Sequence, residues 1–357
     1  MTPSSARAVM SHPAFCGLDR AHLGDLIEEL AGPWTARCEA ALRERRGRNR
    51  QRAAGAGPDH QLVFVDRVLV TLVYLRLQLP HAALAKLSGV TRPTVTRAIH
   101  EIRPLLARRG FAVPQQPGVR LRTLADVFAY AEAEGVGLRV DGTEVQVRRP
   151  RAGRAGRKAF VSGKKKQNTA KTTTISDGSG RLLWAGAHRP GRMHDQTAVR
   201  TEGIAEQFRL HSRVKAEVDE GYRGMANEFP DQVSAPPKKP KDDAPLGERH
   251  AWRERRRRQS SRRICVEHVI GEEKKWRPLQ RYIGRREYYP ETHAAIVGLV
   301  SDRAARRPAR RRTSTETGAL PAHGRLTTTS QSARPARPDP NRVPSRKKFA
   351  RLTFGAR

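Results

Sequence analysis

The stretch GLRVDGTEVQV, Gly137 to Val147, decides how the rest of the chain is read. Leu138 and Val140 alternate as the buried face of a strand does, and Val145 and Val147 resume the pattern beyond a break. At the break stands Asp141, followed by a glycine. Asp-Gly is a common turn pair, and alone it asks for no more than a turn. The segments downstream of Val147 give the aspartate a second reading.

KTTTISDGSGRLLWAGA, residues 171 to 187, reads as two strands joined at Asp177-Gly178-Ser179-Gly180, a hairpin signal. With the Asp141 strand this makes three strands in meander order. A helix is expected from Asp195, then a short strand ending at Asp219, then a last strand in DQVSAPPKK. A long charged helix from about His250 to Lys275 closes the order. That succession predicts a ribonuclease-H-like α/β domain over residues 135–302.

In such a fold Asp141 lies on the first strand, Asp219 at the end of the fourth, and Glu267 on a helix packed beside them. Three carboxylates gathered in one place repel one another unless a cation sits between them. Hard oxygen ligands suit Mg²⁺ or Mn²⁺. Two such divalent cations would activate a water and stabilise the leaving oxygen of a phosphodiester. Each acid also has a plainer reading. Asp141 and Asp219 both precede turns, and Glu267 lies four residues after Arg263, the spacing of an ordinary helical ion pair. Glu144 reads as a solvent-facing strand residue.

Composition narrows the partners. Among 357 residues there are 70 Lys and Arg against 35 Asp and Glu, a formal net charge of +35. Such an excess favours polyanions, through counterion release and steering. Cys16, Cys38 and Cys265 are scattered without CxxC spacing, which argues against a disulfide framework or a structural zinc site and fits a reducing compartment. The first residues hold no apolar run of signal-peptide length, and the most apolar window, LVFVDRVLVTLVYLRL, is broken by Asp66 and Arg67. A cytoplasmic, nucleoid-associated protein with no membrane partner is expected.

Residues 1–60 read as an N-terminal helical region followed by a basic, Gly-rich linker. Residues 61–112 then have the shape of an all-α helix-turn-helix domain. VDRVLVTLVYLRL is an apolar helix, a short helix follows Pro80, and Ser88-Gly89-Val90 is a tight turn. Thr91 stands where an N-cap belongs and Pro93 in the first turn of the next helix. Arg92, Thr94, Thr96 and Arg97 would lie at the start of that recognition helix, where side chains reach base edges. Further DNA contacts are expected from Lys164, Lys165 and Lys166 in a basic loop, from Arg255, Arg256, Arg257 and Arg258, and from Lys274 and Lys275 on the long helix. Residues 303–357, rich in Arg, Pro, Ser and Thr with few apolar anchors, read as a disordered basic tail.

Two neighbouring signals invite other readings. His188, His194 and Asp195 offer metal-ligating atoms, yet their spacing fits no structural zinc pattern, and hydrogen bonds stabilising a loop are the simpler role. Tyr222 and Trp276 read as packing residues rather than base-stacking ones.

Four blocks, VDGTEV, GRMHDQTAV, EVDEGYRG and VEHVIGEEKKWRPL, resemble in order the signature blocks of DDE-superfamily transposases of bacterial insertion sequences, in the branch related to Harbinger-type transposases. The resemblance spans about residues 61 to 300 and includes the helix-turn-helix. It implies metal-dependent DNA strand cleavage and strand transfer at the ends of an insertion sequence, by phosphodiester hydrolysis and transesterification. The triad acids would be Asp141, Asp219 and Glu267, holding two Mg²⁺ or Mn²⁺ ions. The partners implied are double-stranded DNA and a second copy of the chain, as a homodimer on DNA. His268 stands where the family has an arginine after the glutamate. A different class of function is a catalytically decayed or domesticated transposase acting as a DNA-binding repressor. It would keep the helix-turn-helix and the basic surface and tolerate loss of the acids, all three of which are present here.

Overall fold

The computed structural model describes residues 3–51, 60–149 and 157–307. The tail from 308 onward, part of the Gly-rich linker and the start of the basic loop after Arg149 lie outside the described residues.

The N-terminal half is helical, as the spacing of its apolar residues predicts. Helix α1 (Arg20–Arg46) starts at Asp19, whose carboxylate accepts the His22 amide at 2.8 Å. The helix-turn-helix is built from α2 (Phe64–Leu77), α3 (His81–Ser88) and α4 (Arg92–Ala107). Gly89 closes α3 with φ +66°, a left-handed conformation that glycine adopts without steric cost. Thr91 does occupy the N-cap position of α4, but its hydroxyl meets the Thr94 hydroxyl at 3.0 Å instead of a backbone amide. Val95, Ala98, Ile99, Ile102 and Leu106 line the buried face of α4. Helix α5 (Leu124–Ala133) then carries a Thr123/Asp126 capping box.

The main path of the seven-stranded sheet comprises β1 (Leu138–Val147), β2 (Thr169–Asp177), β3 (Leu182–Ala185), β4 (Ala216–Val218) and β5 (Val233–Ser234), while the short strands Arg189–Pro190 and Arg281–Tyr282 pair with β2 and β1. Their order is β3-β2-β1-β4-β5: β1 to β3 form the antiparallel meander, while β4 and β5 join parallel to it. Between the meander and β4 run α6 (Asp195–Thr201) and α7 (Ile204–Leu210). After β5 comes α8 (Leu246–Glu273), and α9 (Tyr289–Ala305) ends the described chain, passing Arg303. This is the ribonuclease-H-like arrangement.

The break in β1 has a simple cause. Side chains alternate faces along a strand, and no bulge interrupts the pairing of β1 with β2 from Leu138↔Asp177 to Gln146↔Thr169. Leu138 and Val140 are therefore buried on one face, and Thr143, Val145 and Val147 on the other. The apolar pattern changes face at Asp141-Gly142 because the central strand is covered on both sides. Burying each such Val or Leu contributes roughly 1.5–3 kcal/mol. Helix α8 covers the Asp141 face with a stripe of buried residues, Gln259, Arg263, Val266, Val269 and Glu273, at helical spacing. Helix α9 packs against both α4 and β3, and Gly298 allows its backbone to approach the Gly110 carbonyl closely.

Candidate active site

The sheet register brings the first two acids together. Val140 pairs with Val218 across parallel strands, so Asp141, inside β1, comes next to Asp219, just past the end of β4, where ligands bind in open α/β sheets. Arg263 of α8 reaches both of them. Its Nη2 donates to Asp141 Oδ2 at 3.0 Å, and its Nη1 donates to Asp219 Oδ1 at 3.0 Å. The guanidinium is buried while Asp219 stays half-exposed, with side-chain exposures of 9% and 49%. The Gly142 amide donates to Asp141 Oδ1 at 2.7 Å.

Burial pushes the Asp141 carboxyl up to about 6, helped by the charges of Asp219 and Glu267, while Arg263 and the Gly142 amide oppose the rise. The site thus concentrates negative charge in a partly dehydrated place and balances it with one cation. Glu267 lies one helical turn after Arg263, exposed, and near enough to act on Asp141 through its charge. The anticipated Arg263–Glu267 pair gives way to the two aspartates, which hold the guanidinium instead. Among the described residues no three His, Cys, Asp or Glu side chains stand close enough together to hold a metal ion. The donor set still fits a hard divalent cation: two carboxylate oxygens converge on one positive charge.

Behind Asp141, on the opposite face of β1, lies a second polar group that the sequence did not reveal. Lys171 of β2 donates to Asp195 Oδ1 at 2.8 Å and to the Met193 carbonyl at 2.9 Å, and stands 3.5 Å from Glu144 Oε1. Glu144 also accepts from the Thr169 hydroxyl at 3.2 Å, so it is an internal ion-pair member rather than a solvent-facing residue. Tyr222 is buried under Gly142, where a Cβ would lie 2.7 Å from the phenol oxygen. A Cβ on Gly221 would lie 2.6 Å from Asp195 Oδ2. The glycine after Asp141 and the glycine two residues after Asp219 are thus required for close packing. Burial raises the Tyr222 phenol well above its ordinary value, and the charges of Asp195, Asp141 and Glu202 add to this, so it remains protonated. His194 caps α6, its Nδ1 accepting the Gln196 amide at 3.3 Å, a loop-stabilising role. His188 is largely buried, and burial alone lowers its imidazole to about 4.

A family model described as DDE superfamily endonuclease matches residues 140–301, the sheet and helices that carry these acids. A second, described as the helix-turn-helix of DDE superfamily endonuclease, matches residues 60–112. The chain belongs to the DDE superfamily of endonucleases. None of the curated proteins matches it. Among solved structures, the Mos1 mariner paired end complex with Mn is 11% identical and covers 84% of this chain and 98% of that one, at a TM-score of 0.16. So low a score carries no argument about this chain.

In this DDE endonuclease the predicted DNA-contacting residues differ in how free they are. Arg92 and Arg97 are exposed at the start of α4. Thr96 is engaged internally, its hydroxyl 2.8 Å from His81 Nδ1 and donating to the Arg92 carbonyl at 3.1 Å, which braces α4 against α3. Lys164, Lys165 and Lys166 form an exposed turn, and Lys165 Nζ donates to the Glu144 carbonyl at 3.0 Å, tethering the turn to β1. Arg255 to Arg258 are exposed on α8, with Arg258 paired to Glu254 at 2.9 Å. Lys274 and Lys275 are exposed just beyond α8, Lys275 pairing Glu272 at 2.6 Å. Tyr222 and Trp276 are each 2% exposed, as packing residues are. Among the described residues no helix is long and apolar enough to cross a membrane.

Proposed function

We propose that this chain is a transposase that cuts DNA at the ends of an insertion sequence and joins the freed 3′ ends to target DNA. The observation that carries the reading is the convergence of Asp141 and Asp219 on one buried cation, with Glu267 a helical turn away. Asp141, Asp219 and Glu267 would hold two Mg²⁺ or Mn²⁺ ions. Bound there, the ions supply Lewis-acid activation of the attacking hydroxyl and charge stabilisation of the leaving oxygen. The chain's own residues do the rest. Arg92, Thr94 and Arg97 present the recognition helix to the groove. Lys164 to Lys166, Arg255 to Arg258 and Lys274 and Lys275 fix the backbone by its phosphates, which sets register without reading sequence. The Gly142 amide orients Asp141, and the Tyr222–Asp195–Lys171 group supports the strand from behind.

Cutting two ends and joining them calls for two active sites, so a homodimer on DNA is the working unit. The test is Asp219→Asn assayed for cutting and for binding of the same labelled DNA. Loss of metal-dependent cutting with binding retained supports the reading. A variant that still cuts overturns the site assignment. A wild-type chain that binds tightly but cuts under no metal supports the DNA-binding repressor instead.

A further inference from the structure

The Arg263 side chain is not part of the acidic set, yet it sits where that set must work. Its two terminal nitrogens are spent on Asp141 and Asp219, and its Nε is buried without a hydrogen-bond partner among the described residues. The hydrogen bonds of this guanidinium therefore run to the two aspartates and to nothing else described. It projects from α8 one turn before Glu267, so the same helix delivers both the third acid and the competing cation. A guanidinium and a divalent ion cannot both occupy the space between the same two carboxylates, because like charges at such separation repel strongly in a partly dehydrated site.

We propose that Arg263 is a built-in competitor for the divalent cation, holding Asp141 and Asp219 together in the resting protein and leaving them when the ion enters. The guanidinium neutralises the acids and preserves their spacing, so the site survives without metal. It also sets a threshold, because the ion must displace two charge-assisted hydrogen bonds before it binds. The proposal rests on the transposase reading only in taking these aspartates as metal ligands.

Mn²⁺ binding to the full chain without DNA, followed by the electron paramagnetic resonance signal of the free ion, tests it. Arg263→Gln should bind Mn²⁺ at least about tenfold more tightly than the wild type, a difference of about 1.4 kcal/mol. Arg263→Lys, whose ammonium lacks the planar fork needed to reach both acids, should fall between the two. Asp219→Asn should bind more weakly than the wild type. Unchanged or weaker binding by a folded Arg263→Gln chain overturns the competitor role. Unchanged binding by Asp219→Asn overturns the metal-site reading instead, so the two failures are distinguished. If Arg263→Gln does not fold, the lysine variant decides, and binding no tighter than wild type overturns the proposal.

Discussion

Replacing Glu273 with glutamine isolates the cost of a buried carboxyl at the end of the helix that carries the site. Glu273 is 1% exposed, and its Oε1 has no hydrogen-bond partner among the described residues. Burial pushes its carboxyl up to about 8 from an ordinary 4.5, with the Lys274 charge opposing the rise. The unfolded chain therefore sheds this proton near pH 4.5, while the folded chain keeps it to about 8. The folded state binds more protons across that window, so stability falls as pH rises through it and levels off above. Each pH unit carries about 1.36 kcal/mol, which at pH 7 amounts to about 3 kcal/mol lost to Glu273. Glutamine has nearly the same shape and no proton to lose. Glu273→Gln should thus raise stability by about 3 kcal/mol at pH 7 and match the wild type near pH 4. Urea unfolding followed by tryptophan fluorescence suits the measurement, because Trp276 is buried three residues away. A stability difference that does not change with pH, or a glutamine chain less stable at pH 7, would show that burying this carboxyl carries no such cost.

Further substitutions probe the packing and the charges around the sheet. Gly142→Ala places a Cβ 2.7 Å from the Tyr222 hydroxyl and should cost roughly 1–3 kcal/mol in unfolding measurements. Adding Tyr222→Phe should recover much of that loss, and purely additive effects would show that the two do not clash. Burial alone would raise the Asp302 carboxyl, but the His22 hydrogen bond and the charges of Arg109 and Arg120 outweigh it and hold it at about 2. The stability this contributes is present above about 3.8 and is lost as pH falls toward 2. Asp302→Ala leaves one Arg109 nitrogen unsatisfied while Glu29 still pairs the guanidinium, and should cost about 1–3 kcal/mol at neutral pH, read as a lower urea midpoint. Arg97→Ala should weaken DNA binding and, if Arg97 contacts a phosphate, reduce the slope of log K against log salt by about 1.

The order of the elements was legible because β1 to β3 are long or bounded by clear turn signals, whereas the change of apolar face at Asp141-Gly142 read only as a break in the pattern. Asp141 and Asp219 could be brought together only through the expected ribonuclease-H-like order, with Asp141 on the first strand and Asp219 at the end of the fourth. Arg263 could not. It stands 122 residues from Asp141 and 44 from Asp219, and the local rule for helices points it at Glu267 instead. The Lys171–Asp195 pair was hidden for a related reason, since which face Lys171 takes depends on pairing register with β1 and on where α6 begins. The bond between His22 and Asp302 spans 280 residues, a separation over which no sequence periodicity speaks.

Whether the three acids form a metal-dependent cutting site is decided by incubating the chain with labelled duplex DNA carrying the repeats that flank this gene, in Mg²⁺, Mn²⁺ or EDTA. Metal-dependent cuts at the repeat ends, abolished in EDTA and in Glu267→Gln, are the predicted result. Cutting that persists in EDTA, or in Glu267→Gln at the wild-type rate, would take the reaction away from these acids.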